Sequence, residues 1–159
     1  MFGSDPTTSL PVPADQHAEE SLAVIVAESD RGAGLAIEHG VRPEMFHLPS
    51  ARRVFAAVVT RREDLLAAEA AAAPGWRLAA RLDLAGQLAA VDRATLRRWA
   101  EECPVALDAL GVIAQRVRDA ARRRQAMSVA ADLYRAAAVG DDQAFAEAGA
   151  QLAQVVGTP

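Results

Sequence analysis

Three histidines, one cysteine, two acidic doublets and a run of arginines are the residues of this 159-residue chain whose types could do chemistry. His17, His39 and His47 lack the i, i+4 spacing and the cysteine partners that a zinc site requires, so no metal or cofactor is expected. Cys103 stands before Pro104 with no His or Asn placed beside it, which reads as a buried thiol rather than a nucleophile. Glu19-Glu20 and Asp141-Asp142 could pair as general acid and base, but both doublets fall at expected helix starts, where carboxylates complement the helix dipole. All seventeen basic residues are Arg, so no Lys is present to complete a G-x-x-x-x-G-K-[ST] phosphate loop, and Gly32-Ala33-Gly34 is too short to cradle a phosphate. No catalytic residue is therefore named, and an enzyme is not expected.

Arg116, Arg118, Arg122, Arg123 and Arg124 put five guanidinium groups within nine residues. They could face an acidic partner surface or a phosphate backbone. Aromatic residues for base stacking are missing between them and the net charge is −4, so direct nucleic-acid binding is expected to be weak or absent. Arg124 could also act as a register device that interrupts a coiled-coil seam.

The elements that would carry these groups are helical. Apolar residues make up 52% of the chain and aromatics only 4%, with abundant Ala and little strand-like alternation, which predicts an all-α protein with a real core. A single Cys needs no oxidising compartment, and neither a signal peptide nor a membrane-spanning run is apparent, so a cytoplasmic location away from membranes is expected. Residues 1–12 read as a disordered tail, 13–103 as a helical head of five or six short helices, and 104–157 as a helical hairpin.

Asp15 predicts an N-cap for a helix with Ala18, Leu22, Ile25, Val26 and Ser29 on one face, and Asp30 a cap for a second helix that stops at Gly40. Arg42 to Phe46 is a tight connection, and Pro49 opens a third helix carrying Val54, Phe55, Val58 and Val59. After an Ala-rich stretch and the Pro74-Gly75 turn, Leu78, Leu82, Ala85, Leu88 and Val91 form another stripe that passes Gly86. Asp92 predicts the cap of a helix with Leu96, Trp99, Ala100 and Cys103 on its face.

The most regular pattern comes last. Ala106, Leu110, Ile113, Val117, Ala120, Arg124, Met127, Ala131, Tyr134 and Ala138 step alternately by four and three, which predicts a helix of about 35 residues and about 50 Å. Gly140 ends it, Asp141 or Asp142 caps a return helix, and Phe145, Ala148, Leu152 and Val155 repeat the spacing. A return helix of about 15 residues covers less than half of the long one. The uncovered stripe must meet the head or another chain, and the residues expected at an oligomer interface are Leu110, Ile113, Val117, Met127, Leu133 and Tyr134.

Three segments carry a family resemblance. Residues 13–22, Pro-Ala-Asp-Gln-His-Ala-Glu-Glu-Ser-Leu, resemble the opening of the N-terminal (collar) domain of bacterial and phage DnaB-type replicative helicases, with His17 in place of an acidic residue and Ala23-Val24 where Leu-Gly is common. Residues 41–55, Val-Arg-Pro-Glu-Met-Phe-His-Leu-Pro-Ser-Ala-Arg-Arg-Val-Phe, are similar to the family's Phe-x-x-Pro-x-[His/Arg]-x-x-[Ile/Val]-Phe arrangement. The stretch from Glu101 to Arg124 resembles its Pro-led helix with a basic doublet entering the hairpin. The likeness spans residues 13–156, although Arg61 to Leu88 lacks the usual Leu-x-x-x-Leu segment and Gly pair. The chain stops at Pro159, where the family continues through a linker into the ATPase motor, so either an excised domain or a stand-alone relative is expected.

The resemblance implies a six-helix head, hairpins that pair between subunits as a dimer or a trimer of dimers, and heads that receive primase, a loader or the replicative helicase itself. A domain of the primase helicase-binding type, itself similar to the helicase head, fits the same residues. From a different class comes a small helical DNA-binding regulator, in which residues 42–60 form a turn and recognition helix and Arg52 and Arg53 enter a groove.

Overall fold

The computed structural model describes residues 12–60, 93–103 and 106–157. Every regular element among them is helical, as the composition predicts, and no strand occurs among the described residues. The chain divides into two compact units, Asp15–Ala120 and a second made of Met1–Ala14 with Ala121–Pro159.

The first unit is built around α1 (Gln16–Glu28). Asp15 caps it, with Oδ1 accepting from the Ala18 N–H at 3.1 Å, as its position before the apolar run predicts. The single-face reading of this helix needs correction. Leu22, Ala23, Val24, Ile25, Val26 and Ala27 are all buried, because a helix that is apolar on every side can only be stable when surrounded. The second helix α2 (Asp30–Glu38), α3 (Pro49–Thr60) and α4 (Arg93–Glu102) pack against it.

Ser29, expected on the buried face of α1, instead separates α1 from α2 in an extended conformation, and its hydroxyl accepts from the Gly32 N–H at 3.1 Å. It replaces Asp30 as the cap of α2, and Asp30 becomes the first helical residue. Gly32 then lies so near α1 that a Cβ there would come within 2.8 Å of the Ile25 carbonyl oxygen. At the other end of α2, Gly40 takes φ 72°. Its N–H donates to Ile37 and the Val41 N–H to Ala36, the paired bonds of a Schellman ending.

One 3₁₀ turn (Pro43–Met45) leads to α3, which Pro49 opens. Val54, Phe55 and Val58 are buried as its spacing predicts, and the Phe46 and Phe55 rings meet with centroids 4.9 Å apart. Trp99 of α4 and Cys103, the residue that follows the helix, complete the core. The stripe from Leu78 to Val91, the Pro74-Gly75 turn and the Asp92 cap lie outside the described residues.

The long helix α5 (Leu110–Val139) has 30 residues, about 45 Å. Ala106, expected to begin it, belongs to a pair of turns in which the N–H groups of Ala109 and Leu110 donate to Ala106 and Leu107. Leu110, Ala114, Val117 and Ala120 of α5 are buried within the first unit.

In the second unit α5 ends in another Schellman turn at Gly140 (φ 72°), and α6 (Asp142–Gly157) returns. Asp141 is the cap, its Oδ1 accepting from Ala144 at 2.9 Å. The helices meet with Leu133 near Gly149, where an added Cβ would make ordinary van der Waals contact with Leu133 Cδ1 at 3.9 Å. No described helix is long and apolar enough to cross a membrane.

Candidate interaction surface

The residues with chemical potential are spent on holding the fold. Glu19, read from sequence as a dipole-complementing residue of α1, is wholly buried. Its Oε2 accepts from the backbone N–H groups of His47 and Leu48 at 2.9 and 2.7 Å. Those donors lie immediately before α3, so a carboxylate on α1 caps the start of α3. Glu20 reaches across to Arg98 of α4 at 2.9 Å, an ion pair that, by hydrogen bond and charge, holds the guanidinium more firmly protonated. The two carboxylates are engaged separately, Glu19 by backbone N–H groups and Glu20 by Arg98, and the pair is a structural device.

Cys103 is buried beside α1, and burial pushes its thiol above the ordinary value while a hydrogen bond with Ser21 pulls the other way. That is the opposite of an activated thiolate. His17, His39 and His47 are exposed, and no group of metal-ligating side chains assembles among the described residues. His39 has a packing role: its ring lies 3.4 Å from where a Cβ would stand on Gly111, so glycine there leaves room for the end of α2 against the start of α5.

The arginine run is divided. Arg116 places Nε and Nη2 both 2.7 Å from Oδ2 of Asp15, the same carboxylate that caps α1. Arg124 donates to the Pro13 carbonyl at 2.8 Å. Arg118 makes a long bond of 3.4 Å to Gln115 within its own helix, and Arg122 also has a partner, leaving Arg123 exposed beside it. Arg52 and Arg53 are exposed on α3, and Arg53 is engaged. The arginine cluster singled out in the sequence is thus partly taken up by intramolecular bonds.

The six residues expected at an oligomer interface separate into two sets. Leu110 and Val117 are in the core of the first unit, and Ile113 packs partly buried against it. Their covering comes from the chain itself. Met127 and Leu133 are half-buried in the second unit, and Tyr134 is 71% exposed. The displacement of Tyr134 has a geometric cause. A straight helix turns about 100° per residue and drifts about 20° per heptad from a strict seven-residue line. The buried positions here are Val129 and Ala136, with Leu133 between them, and Tyr134 lies one residue round from that row.

Three open residues were not in the expected set. Val139 is 79% and Val156 62% exposed, and Phe145, expected to face its own partner helix, is exposed too. Ala130, Ala131, Ala137, Ala138, Ala146, Ala150 and Ala153 are exposed around them. Within this unit the fully covered apolar side chains are only Val129, Ala136 and Ala148 among the described residues. Two helices that shelter so little apolar surface have a face suited to another helix, where small alanines permit close approach and Tyr134, Val139 and Phe145 supply the large contacts.

A helical head followed by a long helix and a shorter return helix defines an all-α fold class. The fold is that of the N-terminal domain of DnaB helicase. A crystal structure of that domain from Mycobacterium tuberculosis matches this chain with a TM-score of 0.68, over 89% of this chain and 98% of that one, at 22% sequence identity. No protein-family profile and no curated protein matches the sequence.

Proposed function

We propose that the protein is a non-catalytic, self-associating adaptor of DNA replication, with hairpins pairing between two copies and heads receiving a replicative helicase, a primase or a loader. The observation that carries this reading is the second unit itself. Tyr134, Val139, Phe145 and Val156 stand in water on two helices that bury almost nothing between them. A second copy would cover the same patch on both chains, the self-complementary arrangement of a two-fold dimer, and such dimers could assemble further as a trimer of dimers. Support for the replication setting comes from the fold, whose solved counterpart is a helicase domain. A chain without Lys has no phosphate-loop chemistry of the usual kind to contribute, so its role is assembly.

Sedimentation of the wild-type chain and of Tyr134→Asp and Val139→Asp tests the reading. A dimer at tens of micromolar, with each substitution raising the dissociation constant by at least about tenfold, is the expected result. A wild-type monomer throughout that range would overturn it. Mixing the chain with its host's helicase and primase then identifies the partner by a shift in scattering mass.

A further inference from the structure

Within the hairpin unit, Arg123, Met127, Ala130, Tyr134 and Ala137 step by four, three, four and three along α5, so they share one side of it. All are exposed except Met127, which is half-buried. Charge is distributed unevenly along the same rod: Arg122, Arg123 and Arg124 stand at its start, whereas Asp141, Asp142 and Glu147 gather at the turn and the beginning of α6. Midway, Asp132 and Arg135 cancel each other in an ion pair at 2.7 Å. The Ala144 N–H and the Gln143 amide donate to Asp141 and Glu147, and these uncharged donors leave both carboxylates negative. Arg122 and Arg124 are engaged within the chain, and Arg123 and Asp142 are exposed at opposite ends of the unit.

About 24 Å of helix separates Arg123 from Val139, next to the acidic turn. Two hairpins laid side by side in the same direction would set arginines against arginines and carboxylates against carboxylates, whereas in opposite directions each basic end meets an acidic one. The apolar stripe alone is indifferent to direction. A two-fold axis near residues 132 and 133 would bring Arg123 level with Asp142 of a second copy and, in the same register, the large Tyr134 ring level with the small, exposed Ala131.

We infer that two copies pair with their hairpins antiparallel, in a register set by Arg123 of each against Asp142 of the other, and that the pairing weakens as salt rises. This rests on the adaptor reading and adds the direction, register and ionic character of the contact. Arg123→Glu or Asp142→Arg turns both symmetry-related attractions into repulsions, and the double exchange in one chain restores them.

Sedimentation equilibrium of the full chain, with helicity checked by circular dichroism, distinguishes the outcomes. The wild-type dimer dissociation constant should rise by about threefold or more between about 0.05 M and about 0.5 M salt. At the lower salt each single exchange should raise it by about fivefold or more, and the double exchange should return it to within about twofold of wild type. A wild-type dimer that is unchanged or tightened by salt would overturn the antiparallel register and leave the adaptor reading standing, and this series needs no substitution to decide. Fully helical single variants that dimerise like wild type, or a fully helical double variant that fails to recover, would do the same. A wild-type chain that is monomeric at every salt concentration would overturn both.

Discussion

The two units of this protein use the same kinds of residue to opposite ends. In Asp15–Ala120 the apolar side chains of α1, α3, α4 and the first third of α5 converge until Trp99, Phe55, Leu22, Ile25 and Leu110 are essentially out of solvent. Among the described residues of the hairpin unit a valine and two alanines are buried, and the large apolar side chains Tyr134, Val139 and Phe145 are exposed. The first arrangement supplies its own stability by burial. The second has helix propensity, two good caps and a face without a partner. The contrast teaches that length of helix is not a measure of how much a helix packs: α1, with 13 residues, is more completely buried than α5, with 30.

Deleting a large side chain from each unit breaks the comparison most strongly. Trp99→Ala should cost about 3–5 kcal/mol of unfolding free energy by denaturant titration, since the site cannot collapse around so large a void. Phe145→Ala should cost under about 1 kcal/mol in the monomer, because its ring is already hydrated. Equal costs would show that the hairpin has a core of its own.

The buried carboxylate comes next. Glu19→Ala leaves the His47 and Leu48 N–H groups without their acceptor and should destabilise the head by about 2–4 kcal/mol, while Glu19→Gln, which keeps one carbonyl acceptor, should lose roughly half as much. If the two substitutions behaved alike, charge rather than hydrogen bonding would be the source of stability.

A smaller effect is expected at the mouth of α1. Asp15→Ala should cost about 1 kcal/mol as a lost cap, with little added by the exposed end of the Arg116 pair. Asn at the same position should restore most of it, because the amide oxygen can still accept from Ala18.

The smallest effect is pH-dependent and belongs to the head alone. The Cys103 thiol is raised in the fold by burial, so the unfolded chain loses its proton first as pH climbs. The contribution is fully present below the unfolded thiol value, about 8.5, and is lost as pH rises through the higher folded value. Stability measured by denaturant titration should therefore decline above about pH 8.5, and Cys103→Ala should remove that part of the slope. A Cys103→Ala chain with the same alkaline decline would assign it elsewhere.

Much of the fold was legible because its signals are local. Asp15, Gly40, Pro49, Gly140 and Asp141 each act within a few residues of themselves, through one cap bond or one backbone angle, and each stands where its type predicts. The core face of α3 was readable for the same reason. Ser29 was misread because a short polar residue between two helices satisfies either a helical face or a cap, and only the kink at φ −142° decides. The seam was half legible. Its apolar spacing marks α5 as a helix, but Leu110 and Val117 share that spacing with Met127 and Tyr134 while the head covers only the first pair.

What the chain determined by itself is the all-helical state, the places where most helices begin and end, and the absence of a phosphate-loop lysine, since these follow from residue type and short-range geometry. Tertiary structure alone decided that Glu19 caps α3, that Asp15 serves both its own helix and Arg116, and that Arg124 is tied to Pro13. Those bonds close loops of 28 to 111 residues, and no local pattern encodes which distant atom arrives.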